Sequence, residues 1–141
     1  PGLEVSVEGP FGSFSHLNTF NKNQIWIAGG VGITPFISMA RSLQGDDYAI
    51  DLYYCVNKPD EALLGDEWNE IQRTKKIRLI PWCSSEKGRI NAKLISELSA
   101  GLDSKDFMLC GPLPFMIDLK NQLMSLNIKK KYIHFENFNF I

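Results

Sequence analysis

Ile25-Trp26-Ile27-Ala28-Gly29-Gly30-Val31-Gly32-Ile33-Thr34-Pro35 is a short apolar run that breaks into glycines and then meets Thr-Pro. A buried strand that turns sharply into a helix has this composition. Thr34 is expected to cap the helix through its hydroxyl. Pro35 suits the first helical position, where its missing N–H leaves no donor unpaired. Glycines let backbone N–H groups approach a ligand, and a helix N-terminus adds roughly half a positive charge. Together they describe an anion site, most naturally for the pyrophosphate of a dinucleotide.

The motif leaves an alternative open. Gly30-x-Gly32 lacks the third glycine of the common dinucleotide fingerprint, because Pro35 stands there. The acidic residue expected about 20 positions on, to grip a ribose, is also absent, since the second strand ends Cys55-Val56-Asn57-Lys58. No Gly-Lys-Ser/Thr follows, so the loop is not a P-loop. A glycine turn needed only for close strand–helix packing remains the competing reading.

The bulk composition is that of a globular domain. A chain of 141 residues is long enough for one domain with a real core. Hydrophobic content of 44%, charged content of 22% and a net charge of −1 point to neither nucleic acid nor an anionic membrane surface. Lys129-Lys130-Lys131 reads as a solvated turn. Cys55, Cys83 and Cys110 form no CxxC pair, so reduced thiols are expected and no metal site is. His16 and His134 have no spacing partners and are read as surface or structural. No apolar run approaches the roughly 20 residues that span a bilayer. The chain opens inside an alternating pattern without an initiator Met, as a piece of a longer protein would.

Leu3, Val5 and Val7 alternate with polar neighbours, which predicts a strand over 3–8 with one buried face. Gly9-Pro10-Phe11-Gly12 stops it, and the polar stretch to Asn23 reads as a linker. Strands are then predicted at 25–30, 49–56, 76–83, 106–110 and 132–138, and helices at about 35–44, 60–73, 92–99 and 114–126. Pro81 places the third of these strands at a sheet edge, and Asn91 is the expected cap of the helix after it. Met116, Leu119, Leu123 and Leu126 form a core-facing stripe. The alternation implies an α/β fold: a three-layer, Rossmann-like, five-stranded parallel sheet with helices on both faces. Ligands of such sheets bind outside the carboxyl ends of the strands.

In order and spacing the chain resembles the nucleotide-binding domain of the ferredoxin–NADP reductase superfamily. Gly9-Pro10-Phe11-Gly12 resembles the segment that closes the family's flavin-binding barrel, so residues 1–21 are expected to be the end of a barrel strand and a linker, and 22–141 the NAD(P)-binding domain. Gly29-Gly30-Val31-Gly32-Ile33-Thr34-Pro35 resembles the family's pyrophosphate loop. Cys110-Gly111-Pro112 resembles its Cys-Gly-Pro motif beside the nicotinamide, and Glu136-Asn137-Phe138 its terminal Glu-x-aromatic over the flavin. Tyr54-Cys55-Val56-Asn57-Lys58, the run from Cys83 to Arg89, and the ending look most like bacterial ferric-reductase-like flavoproteins, which resemble NADPH oxidases.

The resemblance implies hydride transfer from NADPH or NADH to FAD, then electron transfer to haem or ferric iron. The FAD would be held mainly by another domain of the same polypeptide. It further implies a transmembrane haem partner and a cytoplasmic domain of a parent in the bacterial inner membrane. Cys110 would align the nicotinamide, Glu136 would orient flavin or nicotinamide, and Phe138 would gate the flavin face, with Phe140 an alternative for that stacking. Asn57, Ser84, Ser85, Lys87 and Arg89 would choose the nucleotide. A serine with nearby cations suits a 2′-phosphate, which favours NADPH, although Glu86 sits among them. Two alternatives remain: a nucleotide-binding module without redox chemistry, and a reductase whose acceptor is an iron–sulfur, globin or hydrogenase partner.

Overall fold

In a computed structural model, residues 2–4, 6, 12–45, 47–62 and 65–136 are described. Five parallel strands, β1 (Asn23–Gly29), β2 (Ala49–Val56), β3 (Ile77–Cys83), β4 (Asp106–Cys110) and β5 (Ile133–Phe135), pair in the order β3-β2-β1-β4-β5. Between them lie α1 (Thr34–Ser42), α2 (Asp66–Thr74), α3 (Ser84–Lys87), α4 (Ala92–Leu98) and α5 (Leu113–Ser125).

Both faces of the sheet are covered, so its central strands are apolar throughout rather than alternating. Trp26 and Ala28 of β1, Leu52 and Tyr54 of β2, and Met108 and Cys110 of β4 pack with α1 and α2. Their neighbours Ile25, Ile27, Tyr53, Phe107 and Leu109 face α4 and α5. The period of two along a strand therefore sorts one hydrophobic run into two cores. Every residue from Gln24 to Ala28 and from Asp106 to Cys110 is buried. Pro81 lies in the edge strand β3, where a missing N–H costs no ladder bond. Asn91 caps α4, its side chain accepting from the Leu94 N–H at 2.9 Å.

Some expectations differ. The predicted helix over 60–73 is a 3-10 turn at Pro59–Glu61 followed by α2, with Gly65 as the cap of α2. The stretch 84–87, expected to be loop, is a single helical turn closed at Gly88, whose φ of +74° is open to glycine. In α5, Met116, Leu119 and Leu123 are buried as expected, but Leu126 is 43% exposed, because the helix ends at Ser125 and Asn127 turns left-handed at φ +66°. Gly2–Glu4 and Ser6 form no strand and Leu3 is 87% exposed, while Val5, Val7 and residues 8–11 lie outside the described residues. Of the predicted strand over 132–138, 133–135 form β5 and Tyr132 belongs to a 3-10 turn, while Asn137, Phe138, Asn139 and Phe140 lie outside the described residues.

Candidate functional site

The chain runs from β1 outward to β3 and then crosses back to β4 on the other side of β1. The strand order therefore reverses between β1 and β4, and a crevice opens above their carboxyl ends. Gly29 and Cys110 end those two strands, Ala28 pairing with Cys110.

The glycines there do different work. A Cβ on Gly32 would lie 2.2 Å from the Cys110 carbonyl oxygen and 2.8 Å from the Gly111 nitrogen, so only a hydrogen fits. A Cβ on Gly29 would meet Phe115 and Pro112 at 3.1 Å, and one on Gly111 would meet the Gly29 Cα at 3.0 Å. These three glycines knit the turn after β1 to the turn after β4. Gly30 differs: nothing lies within 4 Å of its Cβ position, and its φ is +54°. Its demand is conformational, and it faces open space.

The turn that follows is tighter than the expected helix start. Gly30–Ile33 form a 3-10 turn that runs into α1, and Ile33 holds the cap position of α1. Thr34 is therefore the first residue of α1 and not its cap. Its hydroxyl donates to the Val31 carbonyl at 3.1 Å instead of accepting an N–H. Pro35 sits in the first helical turn as expected. Val31 is exposed and Ile33 fully buried, so the turn presents backbone outward and anchors itself inward.

A cleft of about 420 Å³ extends from Gly29 and Gly30 across the ends of β2 and β3. Asn57, Ser84, Arg89 and Pro112 line it, as do Cys55 and Trp82. Asn57 is a polar junction: its carbonyl accepts from the Ser85 N–H at 3.0 Å and the Cys83 thiol at 3.2 Å, and its Oδ1 accepts from the Ser84 hydroxyl at 3.2 Å. Ser85 turns towards Cys83, with Oγ and Sγ 3.2 Å apart, and Lys87 lies 5.3 Å over the Trp82 ring. Ser84 and Arg89 thus reach the cleft, and Ser85 and Lys87 are engaged beside it.

Glu61 and Asp118 also line the cleft, and the sequence reading passed over both. The Glu61 Oε2 accepts from the Asn57 N–H at 3.0 Å and the Lys58 N–H at 3.3 Å. Treating 60–73 as one helix hid this carboxylate; the signal available was Pro59 three residues past the strand, which starts a turn.

Cys110 is wholly buried at the end of β4. Burial pushes its thiol up to about 12, and the charge of Glu136 adds to that. Cys55 is pushed up to about 12 by burial alone. Both thiols are protonated across the physiological range, so neither is an activated nucleophile. The native chain should therefore alkylate at Cys110 and Cys55 with iodoacetamide about 10³-fold more slowly than an unhindered thiol at pH 8. The unfolded chain releases these protons near the ordinary value of 9 while the folded chain keeps them to about 12. Stability should accordingly fall as pH rises from 9 towards 12, seen as a decreasing urea midpoint. A midpoint constant up to pH 11 would contradict this. Glu136 is half-buried, its Oε1 3.5 Å from the Cβ position of Gly12, and Phe138 lies outside the described residues. Among the described residues no three His, Cys, Asp or Glu side chains cluster as metal ligands, and no helix is long and apolar enough to cross a membrane.

The family model for the oxidoreductase NAD-binding domain matches residues 26–121. The chain is 29% identical over 138 residues to the carnitine monooxygenase reductase subunit of Escherichia coli, covering 97% of this chain and 41% of that protein. It is 30% identical over 152 aligned positions to flavohemoprotein B of Dictyostelium discoideum, covering 97% of this chain and 35% of the relative. Among solved structures, the flavohemoglobin of Malassezia yamatoensis with FAD and haem superposes with a TM-score of 0.80 at 24% identity, over 98% of this chain and 39% of that one. The chain thus spans about two-fifths of the length of such relatives. It belongs to the oxidoreductase NAD-binding domain family.

Proposed function

We propose that this chain is the pyridine-nucleotide half of a flavin-dependent oxidoreductase, with FAD held mainly by a separate domain of the same polypeptide. Residues 1–21 would be the end of that domain and a linker, and 22–141 the nucleotide domain. The observation that carries this reading is the shared crevice: the outward-facing turn at Gly30 and the Cys110–Pro112 turn meet above the point where the strand order reverses.

The residues present suit a dinucleotide. A pyrophosphate needs backbone donors with no side chain in the way, and Gly30 leaves that space open. Backbone N–H groups of the turn from Gly30 would hold it. Asn57, Ser84 and Arg89 would meet the adenosine end, and Pro112, which lines the cleft next to Gly111 in the chain, the nicotinamide end. The bound nicotinamide supplies a hydride and the flavin accepts it. What the chain adds is alignment. A neutral, buried Cys110 positions the ring rather than attacking it, Glu136 sets the orientation beside it, and Phe138 or Phe140 would cover the flavin face.

The relatives' names bear on the acceptor. A flavohemoprotein and a monooxygenase reductase subunit favour a haem or an oxygenase component as the electron sink. The ferric-reductase-like branch, a transmembrane haem partner and an inner-membrane parent rest on the sequence resemblance alone. The relatives' names do not point to them.

Calorimetric titration of the chain with NADH and with NADPH tests the reading. Saturable binding of at least one is expected, with affinity weakened where the flavin domain would complete the nicotinamide half. No heat from either at millimolar nucleotide would remove the assignment. Anaerobic bleaching of the flavin by NAD(P)H in the full-length parent separates a reductase from a module that only binds.

A further inference from the structure

We infer that Glu61 sets the nucleotide preference of this cleft, selecting the free ribose diol of NADH and rejecting the 2′-phosphate of NADPH. The inference rests on the nucleotide-domain reading and concerns only which nucleotide the site takes. It also runs against the sequence expectation, which placed four phosphate partners at Ser84, Ser85, Lys87 and Arg89.

The geometry supports it in three steps. First, Ser84 and Arg89 are the members of that group that line the cleft, and the Ser84 hydroxyl is already donating to the Asn57 Oδ1. The serine's single proton is therefore committed, and a phosphate, which carries only acceptors, gains nothing from its lone pairs. Second, two adjacent backbone donors at the end of β2, the Asn57 and Lys58 N–H groups, are the natural cradle for an anion there. Both are taken by Glu61 Oε2, so the chain supplies its own anion where a 2′-phosphate would need donors. Third, both bonds end on Oε2. Glu61 lines the cleft, so its charge stands where a ribose hydroxyl can donate to it and a phosphate is repelled.

Position agrees with chemistry. Glu61 stands five residues beyond the last pair of β2 with β3, Val56 with Cys83, and reaches back over that strand end from the Pro59–Glu61 turn. Pro59 starts the turn with its φ fixed, so the carboxylate is held by a local structure and does not depend on a distant contact. Arg89 lines the same cleft, where the Glu61 carboxylate opposes its charge, so by itself it is no sign of a 2′-phosphate.

The test uses this chain with ADP-ribose and 2′-phospho-ADP-ribose, probes that need only the adenosine and pyrophosphate half of the site. The wild type is expected to bind ADP-ribose at least tenfold more tightly. In Glu61→Gln the amide oxygen still accepts from Asn57 and Lys58, so the turn is retained while the charge is lost. That variant should bring the ratio close to one, a tenfold change or about 1.4 kcal/mol, mostly through tighter binding of the phosphorylated probe. An unchanged melting temperature would show that the fold is intact. If the wild type prefers the 2′-phosphorylated probe, or if Glu61→Gln shifts both affinities alike, Glu61 is not the selector although the nucleotide site stands. If neither probe binds, the nucleotide-domain reading fails and the inference falls with it.

Discussion

Gly32→Ala is expected to cost at least about 4 kcal/mol of stability, beyond the range of ordinary substitutions. The new methyl would be placed 2.2 Å from the Cys110 carbonyl oxygen and 2.5 Å from its carbon. Neither atom is the end of a flexible side chain. Both belong to the backbone of β4, a fully buried strand with β1 on one side and β5 on the other. Relief would require separating the turn after β1 from the turn after β4, opening the crevice on which the proposed function depends. For a domain of this size the loss corresponds to a fall in melting temperature on the order of 10 °C. Gly30→Ala is the matched comparison. Its Cβ meets nothing within 4 Å, so only the left-handed φ of +54° opposes it, at a cost of about 1–2 kcal/mol. Urea unfolding of both variants separates packing from conformation; equal losses would show that the close approach at Gly32 does not govern this turn.

Those two glycines show where sequence reading stops. Gly30 and Gly32 look alike in a Gly-x-Gly motif, yet one answers to backbone torsion and the other to a strand three crossovers away along the chain. Only tertiary structure separates them. What was legible came from local signals strong enough to survive folding. The runs 49–56 and 106–110 are bounded by polar residues or glycine, and β2 and β4 occupy those spans. Asn91 caps α4 because an Asn before an apolar helical pattern has one local use.

The failures have physical causes too. Residues 60–73 are rich in helix formers, but the Glu61 carboxylate satisfies the Asn57 and Lys58 N–H groups and ends its own turn before Gly65 restarts the helix. Ser84–Lys87 has no apolar period, and its single helical turn is anchored from outside by the Ser85 N–H on the Asn57 carbonyl. Leu126 continues a core spacing past the point where the helix has closed, its N–H shared between the Gln122 and Leu123 carbonyls. At the site, sequence brought the strand-end stretches to one edge, but not which side chains enter the cleft. That depended on where Ser85 and Lys87 found partners.

Asp106→Ala should cost about 3 kcal/mol and loosen two segments that are remote in sequence. Asp106 is fully buried at the start of β4, and four bonds converge on its carboxylate. Oδ2 accepts from the Asn21 N–H at 2.8 Å and the Asn21 side-chain amide at 2.7 Å, while Oδ1 accepts from the Phe20 N–H at 3.3 Å and lies 2.6 Å from the His134 Nε2. One charge therefore ties the segment leading into β1 to the edge strand β5, and the Phe20 ring meets Tyr132 edge-on at 5.5 Å across the same seam. Removing a buried, fully bonded carboxylate strands its donors, a loss of about 3–5 kcal/mol for the closest precedents. The lower end is expected because His134 is 23% exposed and can be hydrated. His134→Ala removes one bond of the four and should cost only about 1 kcal/mol. Because β5 has a single neighbour and three residues, the damage should be local: amide exchange is expected to accelerate at 20–21 and 133–135 but not in β1 or β2. That pattern would make Asp106 the clasp that fixes the approach to β1 and the base of β5 in one frame. From that frame the chain continues through Glu136 beside Cys110, so the clasp would also hold the proposed nicotinamide end in register. Uniform acceleration across the sheet would instead make Asp106 an ordinary element of global stability.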